Sequence, residues 1–187
     1  MIPLLLFLLA PPGPLVEGNP QSTVRVLIYE DLQCSDCADL RKMLDAQLLP
    51  RYAATVAFEH RDFPLPKHKW ARDAAVAARW FQQQKIEIAV EWRRELMANQ
   101  KSITVDSLPD RIRAFASRNG LDPAAAIMSL KDESLRQAVE SDYQDGVARG
   151  IAHTPTALVN GEPFIETFTF EQISGTIERE LKAGQKQ

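Results

Sequence analysis

The chain has only two cysteines, and they stand three apart in Cys34-Ser35-Asp36-Cys37. They follow a β-branched run, Val24 to Tyr29, and open a stretch whose apolar residues recur at Leu40, Met43, Leu44 and Leu48. The first run reads as a strand and the second pattern has a helical period. Another β-like run, Thr55 to His60, comes next. The order predicts a β-α-β unit whose helix begins at the cysteines, with parallel strands and a right-handed crossover. Pro50 is expected to stop or kink that helix.

This placement shapes the chemistry of the pair. Two intervening residues in a first helical turn bring the sulfurs within bonding reach. The loop is so small that a bond across it stabilises little, which suits a bridge that opens and closes. A sulfur at a helix N-terminus meets unpaired N–H groups and the positive end of the macrodipole. Both lower the thiol pKa and raise the thiolate fraction that attacks disulfides. Cys34 is therefore assigned as nucleophile and Cys37, one turn inside, as resolving thiol. Ser35 and Asp36 lie between them as tuning residues; the Asp36 carboxylate is expected to oppose thiolate formation and weaken the pair as an oxidant.

Two plainer readings compete: ordinary buried cysteines, or half of a zinc site. Zinc needs two further ligands. Of His60, His68 and His153, none lies at zinc-finger spacing from Cys37, and His60 and His68 are eight apart. No metal and no organic cofactor is expected.

At 187 residues the chain suits one domain with an insertion. Its 45% apolar and 25% charged content is that of a globular protein and argues against disorder. A net charge of −3 without a basic block argues against nucleic acid as a partner. The N-terminus, Met1 to Ala10, is apolar but too short to span a bilayer, and fits the hydrophobic region of a secretory signal. No basic residue precedes it, Arg25 being the first. Residues 1–20 are read as signal peptide and linker, with the Pro- and Gly-rich stretch 11–22 as the linking part. Export to the periplasm or cell envelope is the expected location, where disulfide exchange has a use.

Residues 21–187 are read as the folded domain, with a helical insertion at about 66–149. Helical patterns run from Trp70 to Gln84, Glu91 to Ala98, Ser107 to Asn119-Gly120, from Asp122-Pro123, and from Ser134 to Ala148. Strand character returns at Thr156 to Val159, followed by the turn signal Asn160-Gly161 and a returning strand Glu162 to Ile165, whose Pro163 implies an edge. Thr169 to Gln172 has capping-box form before a last helix carrying Ile173, Ile177 and Leu181. Trp70, Trp80 and Trp92 are read as core packing, and the Arg93-Arg94 pair as a solvated helix face.

On these residues the chain resembles the thioredoxin superfamily and, within it, the DsbA-like thiol–disulfide oxidoreductases. Four segments carry the likeness: Tyr29 to Cys37; Asp62-Phe63-Pro64-Leu65 with His68 and the Ala-rich helix; Gly150 to Thr156; and Val159-Asn160-Gly161. The resemblance implies an α/β thioredoxin fold with a helical insertion. It implies a cis Pro155 beside Cys34, and a Thr154 whose backbone groups bind an extended peptide by strand addition. It also implies dithiol–disulfide exchange with protein or peptide thiols, and a membrane redox partner for turnover. His153, just before the Thr-Pro pair, is a candidate for favouring the thiolate. The chain departs from the family in having Ser35 where Pro is usual, Leu32 for an aromatic, and Ile28 where a buried Glu relays protons. Asp31, Glu30 or Asp36 are the substitutes at hand. The rivals are the same chemistry run as a reductase or isomerase, and a redox-inactive thioredoxin-fold module that binds peptides or senses.

Overall fold

The computed structural model describes residues 13–184. Five strands form one mixed sheet in the order β1-β3-β2-β4-β5. The central pair, β2 (Arg25–Glu30) and β3 (Ala57–Asp62), is parallel, with Arg25 opposite Ala57 and Glu30 opposite Asp62. Helix α1 (Ser35–Met43) makes the crossover and continues through a π-turn, Leu44–Leu48, into α2 (Leu49–Tyr52). Pro50 therefore does not end the helix. It sits in the first turn of α2, where its missing N–H is tolerated, and the wider π-turn comes just before it.

The other side of β2 carries β4 (Thr156–Val159) and then β5 (Glu162–Ile165), both antiparallel to their neighbours. Asn160 (φ 45) and Gly161 (φ 99) make the tight turn between them, both in the left-handed region that such a two-residue turn demands. Pro163 lies on the edge strand. Helix α8 (Phe170–Gly184) begins at a capping box: Gln172 Oε1 accepts from the Thr169 N–H, and Thr169 Oγ1 accepts from the Gln172 N–H.

The stretch read as linker contains a strand. β1 (Leu15–Gly18) pairs antiparallel with β3, from Leu15 opposite His60 to Gly18 opposite Ala57. Four residues flanked by Pro and Gly are too few to show a period. Leu15 is nonetheless buried, and Gly18 (φ +85) approaches β3 so closely that a Cβ would lie 2.4 Å from the Val56 carbonyl. The expected signal segment, Met1 to Ala10, lies outside the described residues. No helix among the described residues is long and apolar enough to cross a membrane.

Between β3 and β4 stand α3 (Ala71–Gln84), α4 (Ile86–Asn99), α5 (Leu108–Arg118), α6 (Pro123–Met128) and α7 (Glu133–Ala148). Asp122 and Asp132 cap α6 and α7 by accepting backbone N–H groups one turn in. Two cores result. Val26, Ile28, Leu44, Phe58, Val159 and Ile177 pack α1, α2 and α8 on one side of the sheet. Phe81, Trp92 and Phe115, with ring centroids 4.8–5.2 Å apart, centre the insertion's core, and both cysteines belong to that second cluster.

A chain of buried charges seats the insertion. Arg93 of α4 is not on a solvated face as its sequence neighbourhood suggested. It is 1% exposed and donates to Glu30 at 2.9 Å and Asp62 at 2.7 Å, at the C-terminal ends of β2 and β3. Arg79 of α3 donates to Asp62 at 2.6 Å and to Asp142 of α7. His60 sits between Glu30 (2.9 Å) and Glu17 (3.0 Å), and Glu17 also accepts from Arg41 of α1. Burial works against the Glu30 charge, but His60 and Arg93 outweigh it and hold the carboxyl below its usual range. Arg94 does face outward and pairs with Asp45. Removing one partner from a buried pair strands the others, so Arg93→Ala is expected to cost about 3–5 kcal/mol. Urea unfolding of the two proteins at neutral pH measures it; a loss below ~1 kcal/mol contradicts the role given to Arg93.

Candidate active site

Cys34 is the N-cap of α1, with extended backbone (φ −79, ψ 128). Its N–H donates to the Asp31 carbonyl at 3.0 Å, and its carbonyl accepts from the Ala38 N–H at 3.2 Å. These two bonds turn the chain from β2 into α1 and leave the Cys34 sulfur at the open end of the helix. Cys34 is 8% exposed and Cys37 is fully buried; both are free thiols.

The segment before β4 closes on the sulfur from the far end of the chain. Helix α7 ends at Ala148, Gly150 (φ 76) turns the chain, and the segment that follows brings Thr154 to the N-terminus of α1. The Thr154–Pro155 peptide is cis. The Cys34 thiol donates to the Thr154 carbonyl at 3.2 Å, across 120 positions of sequence. Thr154 Oγ1 is buried and has no hydrogen-bond partner among the described residues. A groove of about 730 Å³ runs past the sulfur, walled by Ser35 and Asp36 on one flank, Leu65, His68 and Trp70 on another, and His153 and Thr154 on the third. Trp70 is thus both core and groove wall. His153 reaches the groove but is 59% exposed, and its Nδ1 lies 3.1 Å from Glu166.

A thioredoxin family model matches residues 11–179. The chain belongs to the thioredoxin family. Its fold is DsbA-like. It is similar to BdbD from Bacillus subtilis (TM-score 0.82, 22% identity, 91% of this chain and 94% of that one). It is also similar to the thiol-disulfide exchange protein α-DsbA2 from Wolbachia pipientis (TM-score 0.75, 17% identity, 88% and 85%). The DsbA of Chlamydia trachomatis is a further likeness (TM-score 0.74, 16% identity, 88% and 90%). No curated protein sequence matches the chain.

Within this thioredoxin-family frame the two sulfurs differ sharply. The Cys34 thiol is pulled down to about 6, first by a hydrogen bond from Cys37, then by Thr154 and the backbone N–H groups of Cys37 and Asp36, with burial opposing. Cys37 is pushed well up, first by burial, then by the Cys34 sulfur beside it. Asp36 thus gives the sulfur a favourable N–H, while its half-exposed side chain faces the groove.

Of the three acids that could stand in for the missing carboxylate, Asp31 and Glu30 are buried and Asp36 is not. Glu30 is tied up by His60 and Arg93. Asp31 is different. Its N–H donates to Cys37 Sγ at 3.3 Å, and its carboxylate accepts from Gln33 N–H (2.7 Å), Leu65 N–H (2.7 Å) and His68 Nδ1 (2.7 Å). Burial still pushes the carboxyl up, past what those donors take back. The sequence pointed to His68 as part of a segment, not as a partner of Asp31, because the two are 37 positions apart. It gave no sign of Gln100, whose amide Nε2 donates to both Leu32 O (3.0 Å) and Cys34 O (2.8 Å). Among the described residues no group of three or more His, Cys, Asp or Glu is placed to hold a metal ion.

The orphan Thr154 hydroxyl is a donor that a Cys34 thiolate can use. Absorbance of the reduced protein at 240 nm is expected to titrate with a midpoint near 6, and Thr154→Val to move it upward. Because the Cys34 thiol is held at about 6, below the 9.0 of an ordinary thiol, its thiolate stabilises the reduced fold fully above 9.0, and the gain disappears as pH falls through about 6. A Thr154→Val midpoint equal to wild type removes the hydroxyl from the account.

Proposed function

We propose that this protein is a thiol–disulfide oxidoreductase that passes its Cys34–Cys37 disulfide to reduced protein or peptide substrates. The single observation that carries the reading is the asymmetry of the two sulfurs: a low-pKa Cys34 open to a groove, against a buried high-pKa Cys37. Stabilising the dithiol form raises the reduction potential, so the favoured direction is oxidation of the substrate. The likeness to a thiol-disulfide exchange protein supports the same activity.

In this scheme a substrate thiolate attacks Cys34 Sγ. The Cys34–Cys37 bond breaks, and the electron pair leaves on Cys37, which takes up a proton because burial disfavours its charge. We assign the donor of that proton to Asp31, whose N–H lies 3.3 Å from Cys37 Sγ and whose carboxyl, pushed up by burial, meets His68 at the groove. A second substrate thiolate then attacks the substrate sulfur of the mixed disulfide. Cys34 departs as a thiolate, a good leaving group at about 6. The substrate loses two electrons and two protons to form its disulfide, and the protein ends as a dithiol. The Thr154 backbone pairs with the substrate strand during these steps.

Turnover needs an external oxidant, which we assign to a membrane redox partner. The chemistry belongs in an oxidising compartment, so we place the protein in the periplasm or cell envelope. No metal or organic cofactor enters the scheme.

Oxidised protein is expected to restore activity to reduced, unfolded ribonuclease, and Cys34→Ala to abolish this. Cys37→Ala, offered the disulfides of insulin, is expected to accumulate a mixed disulfide through Cys34 as one insulin thiol is released, visible by non-reducing electrophoresis and mass spectrometry. Failure with ribonuclease and with insulin, in either direction, favours the redox-inactive peptide-binding module instead. Asp31→Asn is expected to slow the step in which Cys37 is released, by roughly 10²-fold or more at neutral pH, in stopped-flow exchange with a model thiol. An unchanged rate excludes Asp31 from the proton route.

A further inference from the structure

The four residues that join β2 to α1, Asp31 to Cys34, make two bonds of their own, Cys34 N–H to Asp31 O and Gln33 N–H to Asp31 Oδ1. Several of their other polar contacts reach the segment that opens the helical insertion. Asp31 Oδ2 accepts from Leu65 N–H and His68, and Gln33 Oε1 accepts from the Trp70 N–H at 3.1 Å. From the far side, at the end of α4, Gln100 Nε2 donates to Leu32 O and Cys34 O together. One amide nitrogen thus holds the carbonyl of the reactive residue itself and the carbonyl two residues before it.

We propose that Gln100 is a positioning residue for the reactive sulfur: its amide fixes the Leu32 and Cys34 carbonyls, and so sets how well the loop stabilises a Cys34 thiolate. This rests on Cys34 as the reacting sulfur. Three features make the contact more than packing. The Cys34 carbonyl also accepts the first helical N–H, from Ala38, so its direction sets the start of α1. The N–H groups of Asp36 and Cys37, which favour the thiolate, hang from that same first turn. The Gln100 amide presents its positive end to two carbonyl oxygens. Taking it away removes a donor from the Leu32 carbonyl and leaves the Cys34 carbonyl with the Ala38 N–H alone, so both are freer to turn.

Two near-isosteric substitutions separate positioning from bulk. Gln100→Met keeps the volume and removes the donor. Gln100→Glu keeps the shape and turns an acceptor toward two acceptors. In the reduced protein the 240 nm midpoint of Cys34 is expected to rise in the order wild type, Met, Glu. Iodoacetamide alkylation of Cys34 at pH 6 is expected to fall by roughly two- to tenfold in Gln100→Met, the range one hydrogen bond spans, and further in Gln100→Glu. Urea unfolding run alongside reads the merely structural share. Midpoints at the wild-type value in both variants overturn the proposal, whether or not stability falls. Should one variant not fold, Gln100→Ala supplies the donor-less measurement. The titration does not depend on exchange. Shifted midpoints without ribonuclease activity in wild type would sink the functional reading alone; exchange with unshifted midpoints would sink this one alone.

Discussion

Arg93 stands between Glu30 and Asp62, and through that contact the helical insertion meets the ends of the central strands. The two acids lie at the C-terminal ends of the paired central strands, and the arginine comes from a helix of the insertion. Arg79 repeats the device from α3, and His60 extends it to Glu17 on the edge strand. Burying so many charges is costly, and well-packed apolar residues can do as well for stability. What the charges supply is one seating for the insertion. An apolar face can slide, whereas alternating charges at 2.6–3.0 Å satisfy one another in a single register.

That seating decides the chemistry. With the insertion in place, Cys37 is sealed under its core while Cys34 opens to a groove at its rim. The same thiol chemistry three residues apart then splits. Donors gather around one sulfur, and desolvation dominates the other. The loop carrying Cys34 is held through its own Asp31 and Gln33, bonded to His68 and Trp70, and by Gln100 of the insertion, so the insertion is part of the candidate site and not an ornament on a smaller domain.

The locally encoded parts were legible. The β-α-β order, the Asn160-Gly161 turn, the capping box at Thr169 and the Asp122-Pro123 helix start each depend on a few neighbouring residues, and the structure has them. What escaped the sequence depends on distant partners. β1 is four residues long and is a strand only because β3 offers it an edge. Arg93 and Arg94 are adjacent and chemically alike, yet one is buried against two carboxylates and the other faces outward; a charge count along the chain cannot tell them apart. The difference among Asp31, Glu30 and Asp36 likewise turns on which acid is buried and which is already bound to arginine.

The sequence by itself determined that two thiols start a helix after a strand, because a spacing of three and a helical period are local facts. Tertiary structure decided how far burial and hydrogen bonding separate the two thiols, which carboxyl arginine already holds, and the hydrogen bond by which Thr154, 120 positions away, meets Cys34. The reason is physical: desolvation and hydrogen bonding act through space on whatever the fold brings within a few ångströms, and no pattern along the chain records those distances.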